Sequence, residues 1–218
     1  MIRSVWFGIA LLVGALPLGL GAQLDAPMAS SSFGACTRDT CMWVPEFAKQ
    51  KVYRRGAFAY SVRMPPSEEG GTFVLRRNRK VLLTTPLKEL SASVSVVWSQ
   101  KDDWFAITWS DGGAVGGFHT RVFHVAGDEV RETQAVARAF HDFRSRHSCK
   151  ERGENVQAYR WDEASESLVL VMSVYPTSDC GKEMGHTEAY FVQATDGAIL
   201  QHFDLAQLKA YMKTYPQW

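Results

Sequence analysis

The side chains able to do chemistry in this chain are six histidines, four cysteines and several carboxylates gathered in turns. His119 and His124 fall on one predicted strand, an odd number of residues apart. Their side chains therefore point to opposite faces and cannot share a metal. His141 and His147 are six apart on a predicted helix, which separates them around its circumference. His202 lies in a short late strand. His119 and His186 each follow a long loop and read as matching positions in two similar stretches, so neighbouring stretches would bring both to one end of a sheet. Ser110-Asp111 and Ser178-Asp179, with His186, supply the residue types of nucleophilic hydrolysis but not a spacing that assembles a triad. Glu68/Glu69, Asp102/Asp103 and Asp128/Glu129 are turn carboxylates, with nothing to drive their pKa values apart as acid–base pairs require. H-E-x-x-H, G-x-S-x-G, S-x-x-K and P-loop motifs are all absent. The glycines between Asp111 and Gly117 precede a strand, not the helix that a phosphate cradle needs. The sequence thus assigns no catalytic residue, no metal and no cofactor.

The cysteines have a different reading. Cys36, Cys41, Cys149 and Cys180 are an even set behind an export-type leader, so two disulfides are expected. Three pairings are possible. Closeness in sequence favours Cys36–Cys41, and Cys149–Cys180 then flanks one of the similar stretches. The Cys36–Cys41 spacing is not C-x-x-C, which argues against a thioredoxin-like redox site.

The elements that position these groups are mostly strands. Val94, Val96 and Trp98 alternate with Ser93, Ser95 and Val97 in the period of a half-buried strand. Trp104–Trp109 is aromatic and β-branched, and 118–125 makes a third strand before the Gly127-Asp128 turn. A later stretch repeats the order. Trp161 stands for Trp98, 168–173 for 105–110, 186–192 for 119–125, and Asp196-Gly197 supplies the turn. Both stretches read as Trp, polar turn, apolar strand, long loop, His-Thr, aromatic strand and turn, so one antiparallel unit is repeated. The basic stretch 47–85 adds a hairpin with Asn78 at its tip. A helix over 133–147 carries an apolar stripe of Val136, Phe140 and Phe143. A second helix over 205–215 is capped by Asp204 with Gln207, buries Leu205, Leu208, Tyr211 and Met212, and ends at Pro216. The fold class expected is mainly β (α+β), built from repeated antiparallel β-meander units, blade-like or sandwich-like, with one mid-chain and one C-terminal helix. The units span about 47–90, 93–131 and 156–203 of a single domain over 46–218.

Trp98-Ser99 with Asp102-Asp103, and Trp161-Asp162, resemble the W-S-x-D-G blades of TolB-type and WD40-like β-propellers. The resemblance covers about half the chain and implies blade-like meanders. A closed propeller needs about four or more four-stranded blades. The chain has room for two or three, so the resemblance does not extend to a closed ring.

Residues 1–22 read as a secretory signal peptide, with Arg3, an apolar run from Val5 to Leu20, and small residues at Gly21-Ala22. Residues 23–45 read as a flexible lead with the Cys36–Cys41 loop. A net charge of +1 with 46% hydrophobic residues allows a full core and supplies no global field toward nucleic acid or membrane. The strongest local charge is Arg76-Arg77-Asn78-Arg79-Lys80, a candidate contact for anionic lipid, lipopolysaccharide or an acidic protein; the plainer reading is a solvated hairpin tip. The expectation is a periplasmic or secreted, non-catalytic binding protein with a protein partner, such as an envelope-acting enzyme or toxin that it inhibits. Its contact residues would be Asp111, Gly113, Gly116, His119, Asp179 and His186 in the long loops, with Arg76, Arg77 and Arg79 on the hairpin. The alternatives are an envelope hydrolase using His119 or His186, and an assembly component docking through the basic hairpin.

Overall fold

Short turns fold the strand-forming stretches back on themselves, and three sheets result. The computed structural model describes residues 40–43, 52–64, 70–112, 117–147, 149, 155–162, 166–175 and 179–214. In chain order the elements begin with strand β1 (Thr40–Trp43), inside the stretch read as a lead. Strands β2 (Tyr53–Arg55), β3 (Phe58–Arg63), β4 (Gly71–Arg77) and β5 (Lys80–Leu87) form an antiparallel meander in that order. Strands β6 (Val94–Trp98), β7 (Trp104–Ser110), β8 (Phe118–Ala126) and β9 (Glu129–Glu132) form a second, and β1 adds to its edge beside β6. Helix α1 (Ala135–Arg146) leads to the third meander, β10 (Val156–Asp162), β11 (Ser167–Ser173), β12 (Thr187–Gln193) and β13 (Ile199–Phe203). Helix α2 (Leu205–Thr214) follows. The protein is mainly β, with three antiparallel meanders and two helices; neither a closed barrel nor a closed propeller forms among the described residues.

The second sheet lies between the other two. One face packs Trp98, Phe105, Ile107 and Phe123 against Phe58, Tyr60, Phe73 and Leu75 of the first sheet. The other packs Val97, Trp104, Ala106 and Val122 against Ala139 and Phe143 of α1 and against Val156, Trp161, Leu168 and Tyr190 of the third sheet. This corrects the half-buried reading of β6: all of β6 and β7 is buried, because both faces of their sheet are covered. The outer face of the third sheet carries α2, with Leu208 and Tyr211 against Tyr159 and Phe191.

Strand β10 lies against β6, β7 and β8, and threonines satisfy its outward backbone. Thr108 Oγ1 accepts from the Ala158 N–H at 3.0 Å, Thr120 Oγ1 donates to the Val156 carbonyl at 2.6 Å, and the two hydroxyls are 2.8 Å apart. Trp161 Nε1–H donates to the Val97 carbonyl at 3.0 Å. Buried backbone groups left unpaired cost about 1–3 kcal/mol each, so these bonds explain why polar side chains sit in an otherwise apolar contact.

Helix α1 begins and ends inside the span read from its stripe, at Ala135 and Arg146, with Phe140 only half-buried. Gly197 touches its start: at φ 75°, a Cβ there would lie 2.9 Å from Ala135 Cα. At α2 the capping box forms as read, with the Gln207 N–H donating to Asp204 Oδ1 at 2.8 Å and the Asp204 N–H to Gln207 Oε1 at 3.0 Å. Cys149 and Cys180 are joined, with Cα atoms 5.3 Å apart. The expected Cys36–Cys41 bridge, the leader and Pro216 lie outside the described residues.

Candidate functional site

Both long loops leave the second strand of a meander and return to the third. Their bases meet: a Cβ on Gly117 would fall 2.0 Å from the Tyr175 hydroxyl. Asp111 closes the first base, since its Oδ1 accepts from the Gly117 N–H at 2.6 Å and its own N–H donates to the Gly117 carbonyl at 3.3 Å. His119 lies opposite Trp109 in the β7–β8 register and stacks on its ring at 5.4 Å. Its Nε2 is buried without a hydrogen bond. Glu89, Asp111 and His119 bring potential ligand atoms within 4.8 Å of one another. Asp179 is exposed within the second loop, beside Cys180. Gly113 and Gly116 lie outside the described residues.

A denser group surrounds Glu188 on β12. This carboxylate is only 7% exposed, yet four polar rings reach it. His186 Nε2 stands 2.9 Å and His147 Nε2 3.4 Å from Oε1. His202 Nε2 stands 2.8 Å and the Tyr190 hydroxyl 3.0 Å from Oε2. Arg146 lies 3.4 Å from His202 Nδ1, and a guanidinium can only donate. Nδ1 is therefore the acceptor in that contact, and Nε2 carries the ring proton aimed at Glu188. Burial alone would raise the Glu188 pKa. Hydrogen bonds from His186, His202 and Tyr190 outweigh it and hold the group at about 2. The same burial, with the Glu188 charge beside it, pushes the Tyr190 hydroxyl far above its ordinary range.

Glu188 and Tyr190 share β12, and each of the three histidines arrives from a different part of the chain. Helix α1 stops at Arg146, and His147 turns into extended backbone at φ −113°, ψ 138°. It therefore leaves the helix on which its distance from His141 was reckoned, and its ring packs 4.5 Å from Phe143 and 4.6 Å from His186. The Cys149–Cys180 disulfide ties this segment to the start of the 3₁₀ turn Gly181–Glu183. Glu183 adds a second tie by accepting from the Cys149 N–H at 3.0 Å. That turn delivers His186 to the head of β12. Strand β13 brings His202 opposite Tyr190.

The register also revises the pairing of His119 with His186. Trp98, Phe105 and Phe123 form one cross-strand row of the second sheet; Trp161, Leu168 and Val192 form the matching row of the third. Four residues back along the third strand stand His119 and Glu188. Glu188 is the counterpart of His119, and His186 precedes the strand. Sequence reasoning left out His147, Glu188, Tyr190 and His202. The usable signal was Cys149 two residues beyond His147, paired with Cys180 six residues before His186.

The basic hairpin forms with Asn78 at φ 56°. Arg77 lies over the Phe58 ring at 4.7 Å and 3.5 Å from Asp128, which also pairs with Lys80 at 2.8 Å. Two of its four cations thus share one carboxylate, while Arg79 is exposed and Arg76 half-buried. Comparison with protein-family models, with characterised proteins and with solved structures finds no match to this chain.

Proposed function

We propose that the chain is an exported, disulfide-stapled binding protein that holds a protein partner outside the cytoplasm with the loop-bearing end of its sheet stack. The contact between Gly117 and Tyr175 carries the reading, because it joins the bases of two loops that belong to different sheets. Loops set on a rigid scaffold are where binding residues concentrate. Asp111, His119 and His186 stand at these loop bases and Asp179 within the second loop, and the Cys149–Cys180 bridge suits an oxidising compartment. The partner class that fits is an envelope-acting enzyme or toxin. The mature protein, used as bait on an envelope and culture-supernatant extract, should retain one stoichiometric partner. The combined His119→Ala, Asp179→Ala variant should release it; retention at wild-type level would remove this surface from the proposal.

Hydrolysis is the second reading, favoured by the exposed His186, whose Nε2 pairs with the buried carboxylate of Glu188. No Ser or Thr hydroxyl is bonded to that nitrogen among the described residues; its hydrogen-bond partner is Glu188. An ester or phosphoester hydrolysis rate unchanged in His186→Ala would end this reading.

A further inference from the structure

We propose that His147, His186 and Glu188 form a binding site for a divalent transition ion of the zinc class. The proposal shares His186 with the partner-binding reading but does not rest on it, and needs only three side chains.

The first argument is spacing. Ligand atoms about 2.0–2.2 Å from a tetrahedral ion stand about 3.3 Å from one another. Glu188 Oε1 lies 2.9 Å from His186 Nε2 and 3.4 Å from His147 Nε2, and each of the three residues offers a ligand atom within 4.8 Å of the others. An ion needs only small ring movements to replace the proton now held between His186 and Glu188.

The second argument is the state of His147. Its ring is 9% exposed, and its Nε2 is buried, aimed at Glu188 and without a hydrogen bond. Buried polar groups are almost always bonded, and an ion at this point would satisfy the nitrogen.

The third argument is the support behind the ligands. His202 and Tyr190 both bond Oε2 of Glu188, leaving Oε1 turned toward His147 and His186. Partners of this kind fix a ligating carboxylate and raise metal affinity. The disulfide fixes the two segments that bring the histidines together.

The donor set chooses the ion. Two imidazoles and one carboxylate suit zinc and its neighbours, whereas calcium and magnesium prefer all-oxygen shells. No thiolate is needed, so the site suits an oxidising compartment. Three protein ligands leave a fourth position for water, and the His186 side chain, 44% exposed, places it at the surface.

The test uses the full mature chain, free of any affinity tag and stripped with chelator, titrated with Zn²⁺ by calorimetry and with Co²⁺ by visible absorption. One ion per chain is expected, with the intense d–d bands of a four-coordinate Co²⁺ site. His186 is exposed, so His186→Ala should fold normally and lose about a hundredfold or more in affinity. Glu188→Gln should do the same where it folds, while His119→Ala should bind as the wild type does. Absence of binding to the wild type at micromolar ion overturns the proposal. So does wild-type affinity in His186→Ala, or loss of binding in His119→Ala alone.

Discussion

Two groups of histidine and carboxylate stand at matching places in successive sheets, and they differ in everything except residue type. In the second sheet, Glu89, Asp111 and His119 come within ligand range, but Glu89 is exposed and Asp111 spends its Oδ1 on the Gly117 N–H. In the third, Glu188 is buried and each of its oxygens faces imidazole; three elements converge on it, and a disulfide locks two of them. Residue type proposes a site; burial and the restraint of each donor decide whether it is one. The first group is a loop base with a spare imidazole, whereas the second is a preorganised receptor for positive charge.

The largest expected effect tests the restraint. Replacing Cys149 and Cys180 together by Ser removes a cross-link across 31 residues, worth about 3–4 kcal/mol in the loop-entropy model. Urea unfolding should show a loss of this size. Because the bridge joins the His147 and His186 segments, Co²⁺ affinity should fall in the same variant, by about tenfold. A stable variant with unchanged affinity would leave the second group no better restrained than the first.

The next effect tests the electrostatics, in protein kept metal-free with chelator. The Glu188 pKa is about 2 in the folded chain against 4.5 for the free side chain. A lowered carboxylate pKa adds stability above the unfolded value, and that stability is lost as pH falls toward the folded value. The difference corresponds to about 3 kcal/mol at neutral pH. Wild-type stability should therefore drop between about pH 4.5 and 2, and Glu188→Gln should flatten that limb of the curve. Equal acid sensitivity in both proteins would mean that the imidazoles do not hold the carboxylate as the geometry requires.

Much of this frame is legible in the residues, for physical reasons that also mark the limit. The aromatic and β-branched runs give β7 and β8, Asn78 and Gly127 give their turns, and Asp204 with Gln207 gives a cap, because each signal is local. The burial of both faces of β6 is not local. Ser95 alternates with valines as it would on an open face, and only the arrival of β10 covers it. The Glu188 group is less local still. Its members come from a helix end, a turn, a strand and the next strand, with no fixed spacing to find. A helical reading of His147 removes it from consideration, while the backbone turns extended one residue after the helix ends.

The smallest effect separates the two groups most directly. Asp111 holds the Gly117 N–H at 2.6 Å, a bond whose loss should cost about 1–2 kcal/mol because one partner stays behind. Asp111→Ala should therefore lower the urea midpoint slightly, loosen the loop base against Tyr175, and leave Zn²⁺ and Co²⁺ affinity unchanged. The reason lies in what each carboxylate already does. Asp111 is bound to backbone and serves the loop, whereas Glu188 Oε1 is bound to His186, and an ion can replace the proton they share. If Asp111→Ala instead weakened ion binding by more than tenfold with stability intact, the receptor would lie in the second sheet, and the buried Glu188 group would be a polar core held together by its own hydrogen bonds.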